Sequence, residues 1–310
     1  MLILGQKYNF TSLELKRLSK KFPTIETIRY KNEEPERVIA EIESNLQRGF
    51  TLIVLNTKFK VNDEIIKYLT NLKFHVSEAS FKIISIEHFL EEYLYKCYIP
   101  EDHTDLHYLD DIKGFTSFQK FQKKIIDIFV VFGLFLLFLG MKYFVKKKIQ
   151  EQSPGSLYFK QSRVGLNNKE FECVKFRSMH EHNTHEHIRT AVQDDERVFL
   201  FGDFLRKRRI DELPQLLNIL KGEMSLTGPR AEWNKLVQEY EKKIPYYNQR
   251  HVVKPGITGW AQVMFVYGRS KDDTRQKLMY DLYYIKHWNI LLDLKIIYKT
   301  IMVVLKKQGI

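Results

Sequence analysis

Apolar positions along the chain fall into three regimes. Over the first hundred residues, short hydrophobic runs alternate with stretches of helical period. Leu2–Leu4, Ile25–Tyr30, Thr51–Leu55 and Phe81–Ile86 read as strands. Between them, Thr11 or Ser12 caps a helix reaching about Phe22, Pro35–Gln47 keeps a helical period that stops at Gly49, and Asn62–Leu72 reads as a third helix. Glu87–Tyr98 reads as a fourth, ended by Pro100. This order predicts an α/β domain over residues 1–100, a small doubly wound parallel sheet. Gly5 and Gly49 are its only glycines, so it carries no glycine-rich phosphate fingerprint, and an accessory or docking role is favoured.

The second regime is a single run, Ile128–Met141, of 14 residues without a charge. A spanning helix needs about 20, whereas about 10–14 suits a buried core helix or a re-entrant segment. Lys120, Lys123 and Lys124 precede it, and Lys142, Lys146, Lys147 and Lys148 follow. Basic residues favour the cytoplasmic side of a membrane. A helix that enters one leaflet and returns satisfies both ends, and Gly140 is the better placed of two glycines for the bend. An internal helix of a soluble core is the plainer alternative.

The third regime, 153–310, is α-rich with a few strands. Leu157–Gln161 and Phe171–Phe176 read as strands. Arg197–Arg206, Asp211–Leu220, Arg230–Glu241 and Asn289–Lys307 read as helices, the last with an apolar face wide enough for either a membrane interface or a core. Residues 101–119, acidic at first, read as a linker, so the expected division is 1–100, 101–119 and 120–310, with 120–150 the hydrophobic helix.

Charge sharpens this division. The chain has 310 residues and a formal net charge of +12, yet residues 1–120 carry 17 Lys and Arg against 18 Asp and Glu. The whole basic excess lies in the second part, which points to a polyanionic partner: nucleic acid, a membrane surface or phosphate groups. Cys97 and Cys173 fit no metal or disulfide pattern, so a reducing compartment is expected. The polar residues after Met1–Gly5 leave no room for a cleavable signal.

Three clusters in the basic part offer chemistry. Arg206-Lys-Arg-Arg-Ile-Asp211-Glu212-Leu-Pro-Gln215 sets two adjacent carboxylates against cations. Asp211 stands where a helix N-cap would stand; it is either that cap or a nucleophile held ionised beside arginines, and Glu212 is then a metal ligand or a base. Ser225-Leu-Thr-Gly228-Pro229-Arg230 joins a tight turn to a guanidinium fork suited to phosphate. Arg250-His-Val-Val-Lys254-Pro-Gly256-Ile-Thr258-Gly259-Trp260 joins two cations to a turn and to an aromatic that can stack on a base. The histidines of His180–His187 have spacing compatible with a metal, but a solvated loop is favoured. Asp194-Asp195-Glu196-Arg197 reads as a helix-entry charge cluster, and Tyr280, Tyr283 and Tyr284 as packing.

Taken in order, the stretches SPGSLYFKQSRVG (153–165), FECVKFRSM (171–179), DELPQLLNILKGEMSLTGPR (211–230), KPGITGWAQV (254–263) and YDLYYIKHW (280–288), with KKIIDIF (123–129) ahead of them, resemble the bacterial sugar transferase family. These are monotopic polyprenyl-phosphate hexose-1-phosphate transferases. The resemblance covers about residues 120–310 and implies a re-entrant or interfacial helix and an active site at the cytoplasmic face of the bacterial inner membrane. It implies transfer of a sugar-1-phosphate from a UDP-sugar to undecaprenyl phosphate, with Mg²⁺ and release of UMP, as the first membrane step of surface glycan synthesis. On the family's pattern Asp211 is the nucleophile of a covalent phospho-sugar intermediate, and Glu212 assists as metal ligand or base. Arg206, Arg230, Lys175 and Lys254 fall to substrate phosphates. The first domain resembles the Rossmann-like accessory domain of longer members. The chain departs from the family at Leu139-Gly140, where a Ser-Pro pair usually breaks the helix, and at Ala231, where GPRP reads GPRA. The expected partners are the UDP-sugar, undecaprenyl phosphate, membrane lipid and a second copy of the chain. Nucleic acid is not among them, and a non-catalytic basic adaptor is the alternative from a different class.

Overall fold

The computed structural model describes residues 1–75, 81–101, 110, 112–180, 195–265 and 270–306. It divides into two compact units, Met1–Tyr98 and Ile99–Ile310.

The first unit is built on four parallel strands, β1 (Leu2–Leu4), β2 (Glu26–Ile28), β3 (Leu52–Leu55) and β4 (Lys82–Ser85), in the order β2-β1-β3-β4. Helices α1 (Ser12–Leu18), α2 (Pro35–Gln47) and α3 (Asp63–His75) make the crossovers. The step from β1 to β2 runs one way across the sheet and the next two steps run the other way, as in a doubly wound sheet. Thr11 and Glu14 form a reciprocal capping box at α1, and Pro35 opens α2, where a missing N–H costs nothing. Leu2, Leu4, Ile28, Val38, Ile42, Ile53 and Ile65 form the core. The helix expected over Glu87–Tyr98 is shorter: α4 (Ile86–Phe89) passes into a π-helical turn, Leu90–Leu94, and Tyr95 ends it in a left-handed conformation (φ 57°). Termination therefore precedes Pro100. Just beyond, the fully buried Lys96 pairs with Glu14 and donates to the Tyr8 hydroxyl at 2.6 Å.

The second unit begins its described elements with α5 (Ser117–Gln152), opened by a Thr116–Gln119 capping box. At about 1.5 Å per residue its 36 residues reach about 54 Å. Helix runs through Gly133 and Gly140 without interruption, so the re-entrant break expected at Gly140 does not occur. Glycine permits a bend but does not impose one, because its N–H remains available to the helix. Lys123, Asp127, Val131, Phe138, Val145 and Ile149 are buried along one face, and the last four join Phe176, Phe199, Leu205 and Leu216 in a core. On the opposite face Phe121, Ile128, Phe129, Phe132, Leu136, Leu139 and Tyr143 are exposed. By length and composition this helix is apolar enough to cross a membrane.

β5 (Tyr158–Val164) and β6 (Glu170–Phe176) form an antiparallel hairpin. Asn167 and Asn168 take left-handed conformations at its turn, which asparagine tolerates. Then follow α6 (Leu200–Lys207), a 3₁₀ turn over Ile210–Gln215, α7 (Leu216–Leu220), β7 (Ser225–Thr227) and α8 (Asn234–Lys243). A second 3₁₀ turn (Tyr247–Val252), β8 (Gly256–Thr258), α9 (Trp260–Met264), α10 (Lys271–Lys286) and α11 (Ile290–Leu305) complete it. The helix expected over Asp211–Leu220 is thus two elements. The one expected from Arg230 starts at Asn234, because Arg230 bridges in parallel to Gly256. On α11, Asp293 and Ile296 are buried, while Leu291, Leu294, Tyr298, Ile301 and Leu305 form an exposed apolar stripe.

Candidate active site

The two carboxylates sit at the start of the 3₁₀ turn that follows α6. Arg209 ends the preceding loop in a left-handed conformation (φ 54°) and occupies the N-cap position without a side-chain cap bond. Asp211 is therefore inside the first turn and does not cap it, so of its two sequence readings the cap does not occur. Its carboxylate makes no hydrogen bond or ion pair among the described residues. A side chain that a cap would have occupied is left available.

Glu212 is buried and takes the cations. Lys175, on β6, donates to its Oε1 at 2.8 Å. Both terminal nitrogens of Arg230 approach the same oxygen at 3.3 Å, and Arg209 lies 3.5 Å from Oε2. Burial alone would raise the Glu212 pKa, but Lys175, Arg230 and Arg209 outweigh it and hold the carboxyl well below its usual range. Asp211 behaves oppositely. Burial and the adjacent Glu212 charge push it up to about 6, against the pull of Lys175, Arg206 and Arg230. Two neighbouring carboxylates thus have divergent proton affinities, the arrangement that separates roles in an active site.

Two backbone features place the cations. Lys175 stands on the hairpin opposite Phe159. Arg230 follows the Gly228-Pro229 turn, and its carbonyl accepts from Arg250 at 2.8 Å. Arg250 in turn is buried against Asp281 (2.8 Å) and the Tyr247 hydroxyl (2.8 Å). Arg206 lies at the end of α6, near enough to lower the Asp211 pKa.

The structure thus brings Lys175, Arg206, Arg230, Asp211 and Glu212 together. Lys254 is not among the principal charges acting on the dyad; its ammonium stands 3.6 Å from where a Gly222 Cβ would be. Arg209 was hidden in the basic run, and no periodicity signals its left-handed backbone. Trp260 is 1% exposed and stacks on Tyr283, so it is unavailable to a base. Tyr280 and Tyr284 are core residues. Asp195 pairs with Arg197. His180 packs edge-on to Phe199, while the other histidines of that stretch and Asp194 lie outside the described residues.

Among the described residues no group of three or more His, Cys, Asp or Glu could by itself hold a metal. The dyad nonetheless suits Mg²⁺. Glu212 Oε2 is buried and accepts no hydrogen bond, and the Asp211 carboxylate is unengaged. Mg²⁺ is commonly bound through one or two carboxylates plus substrate phosphates rather than by a full protein cage.

Glu212, buried, and Asp211, half-buried, stand together among Lys175, Arg206, Arg209 and Arg230, in the unit that carries a helix with an apolar outer face. The chain matches the family described as bacterial sugar transferase over residues 118–307 and belongs to it. It is 43% identical over 189 residues to the UDP-N-acetylgalactosamine-undecaprenyl-phosphate N-acetylgalactosaminephosphotransferase of Aeromonas hydrophila, covering 61% of this chain and 45% of that one. It is 43% identical over 190 residues to the UDP-glucose:undecaprenyl-phosphate glucose-1-phosphate transferase of Xanthomonas campestris pv. campestris, covering 60% and 38%. Against the exopolysaccharide production protein PSS of Rhizobium leguminosarum bv. phaseoli the identity is 37% over 185 residues, covering 58% and 92%. The chain spans less than half the length of the first two relatives.

Proposed function

We propose that this protein is a phosphoglycosyl transferase that moves a sugar-1-phosphate from a UDP-sugar to undecaprenyl phosphate at the cytoplasmic face of the inner membrane. The observation that carries this reading is the unengaged Asp211 carboxylate held beside cations that Glu212 only partly neutralises. An Asp211 oxygen attacks the phosphorus that bears the sugar. The bond from that phosphorus to the oxygen of the uridine-bearing phosphate breaks, and UMP leaves. An oxygen of the lipid phosphate then attacks the same phosphorus, the acyl phosphate bond breaks, and the Asp211 carboxylate is restored. Arg206, Arg209, Arg230 and Lys175 hold the diphosphate and meet the charge that develops on its oxygens. Glu212, with Asp211 beside it, would hold Mg²⁺, which when bound neutralises phosphate charge. The outer face of α5 and the stripe on α11 rest in one leaflet, which makes the protein monotopic and brings the site to the lipid head group. The first unit serves as an accessory domain.

The test is UMP release by the full chain in vesicles containing undecaprenyl phosphate, across a panel of UDP-sugars. Asp211 reacts as the carboxylate, and without metal its pKa is raised to about 6. Bound Mg²⁺ stabilises the charged form, so the acid limb of the rate should lie below that value and move to lower pH as Mg²⁺ is raised, with a fall of about tenfold per unit beyond it. An acid limb that does not move with Mg²⁺ counts against the assignment. Chelation with EDTA should stop UMP release, and added Mg²⁺ should restore it; undiminished turnover in EDTA removes the metal from the scheme.

A further inference from the structure

Lys123 and Asp127 lie one turn apart on the inner face of α5, and both are tied to β7. The Lys123 ammonium directs its three hydrogens to Thr227 Oγ1 (2.5 Å), the Tyr284 hydroxyl (2.8 Å) and Asp293 Oδ2 (2.9 Å). The Tyr284 hydroxyl also donates to Asp293 Oδ1 at 2.8 Å. Asp127 Oδ1 accepts from the Leu226 N–H at 2.9 Å. Lys123, Thr227, Tyr284 and Asp293 are all at most 4% exposed, so Lys123 serves no lipid head group, contrary to its reading as a basic flank.

What these bonds hold is telling. Leu226 and Thr227 close β7, and Gly228-Pro229 then delivers Arg230 to the dyad. The buried residues of the apolar helix at this end, Lys123 and Asp127, are therefore directional polar groups bonded to the strand that presents Arg230. A mere anchor needs no such device, since apolar residues of similar size usually hold a buried contact as well as an ion pair does. Hydrogen bonds of fixed geometry specify register as well as attachment.

We propose that Lys123 and Asp127 are positioning residues which, through Thr227 and Leu226, set Arg230 against Glu212 and so register the phosphate site on the apolar helix. This rests on the phosphoryl-transfer reading above. Lys124, the next residue, is exposed and takes no part.

The experiment compares the full wild-type chain with Lys123→Met, Lys123→Met/Asp293→Leu and Lys124→Gln in vesicles. It reads UMP release per folded enzyme, the thermal midpoint and amide hydrogen exchange over 225–230. Lys123→Met is expected to lower turnover on the order of tenfold to a hundredfold, the scale of a small misplacement of a catalytic group. Lys124→Gln should match wild type. Removing both charges avoids leaving Asp293 unpaired, and Asp127 keeps its bond from the Leu226 N–H, so the double variant should regain much of its thermal midpoint. Its turnover should nonetheless stay low and its 225–230 amides should exchange faster. A double variant with restored midpoint and wild-type turnover overturns the proposal, since the network is then only structural. Failure of the wild type to release UMP would instead refute the reaction. In that case unchanged protection of 225–230 in the double variant still overturns the positioning role, and faster exchange supports it.

Discussion

Asp211→Asn is expected to abolish transfer and, at the same time, to make the protein more stable. Without the nucleophile, turnover should fall on the order of 10⁴-fold or more, the scale seen when a covalent catalytic group is removed. The stability effect follows from the raised pKa. Burial is its first cause and the Glu212 charge adds to it, so the folded state binds this proton more tightly than the unfolded chain does, with values of about 6 and 3.8. The associated stabilisation is fully present below 3.8 and is lost as pH rises through 6. At pH 7.5 the native protein therefore carries an ionised carboxylate at a cost on the order of 1–3 kcal/mol. Asparagine has the same shape and no charge to desolvate. Thermal midpoints at pH 7.5 and pH 5 check this: the variant's advantage should shrink at the lower pH. Near-normal UMP release would remove Asp211 from the nucleophile's role, and equal midpoints at pH 7.5 would remove the desolvation account.

The neighbouring carboxylate carries the opposite sign. Glu212 is held well below the usual range by Lys175, Arg230 and Arg209 despite its burial, so its contribution is present at neutral pH and declines as acid protonates it. Glu212→Gln leaves Lys175, Arg209 and Arg230 with Asp211 as the remaining carboxylate, and because these cations are partly exposed the loss should be on the order of 1–3 kcal/mol. Opposite effects on stability at adjacent positions would separate a strained reactive group from a structural and metal-holding one.

Why the dyad was legible in the sequence while its supports were not follows from where the partners come from. Local rules offered Thr11 or Ser12 as the first helix cap, of which Thr11 serves, and found the helix Pro35–Gln47, because cap, period and stop all lie within one segment. The alternation of strand and helix gave the parallel sheet. Long motifs, rather than any single residue, gathered Lys175, Arg206, Asp211, Glu212 and Arg230. Lys123 defeated the same approach. A lysine beside an apolar run looks identical whether it meets lipid phosphates or a carboxylate, and its carboxylate is 170 residues away. Trp260 offered an aromatic to a ligand on paper, yet the packing of α9 against α10 buries it. Arg209 needed knowledge of a backbone angle. Lys123 and Trp260 thus fail because distant packing sets the direction of a side chain, and Arg209 because its own backbone turns left-handed.

Gly256→Ala is the second large expected effect, and it tests the frame on which Arg230 rests. A Cβ at Gly256 would stand 2.1 Å from the Gly228 nitrogen, 2.4 Å from the Thr258 oxygen and 2.5 Å from the Thr227 carbonyl carbon. All three are backbone atoms, so no rotamer change relieves them. Gly228 and Gly259 belong to the same contact, with a Cβ on Gly259 only 2.1 Å from the Gly228 oxygen. The parallel pair β7–β8 must separate to admit the methyl. That breaks the bonds from Gly256 N–H to the Pro229 carbonyl and from Gly228 N–H to the Thr258 carbonyl, both 2.9 Å. A loss above about 4 kcal/mol is expected, enough to unfold the site or the whole second unit. Limited proteolysis and recovery from detergent measure it, with UMP release reading whatever remains folded. The contrast lies on α5, where a Cβ at Gly133 or Gly140 meets nothing within 4 Å. Alanine there should hold or raise stability by up to about 1 kcal/mol, since glycine weakens a helix. Gly140→Ala should therefore keep full activity, because the helix is already continuous at that point. Loss of turnover in that variant alone would show that the working enzyme bends where the structure is straight, whereas wild-type recovery of Gly256→Ala would show that the β7–β8 contact yields without cost to Arg230.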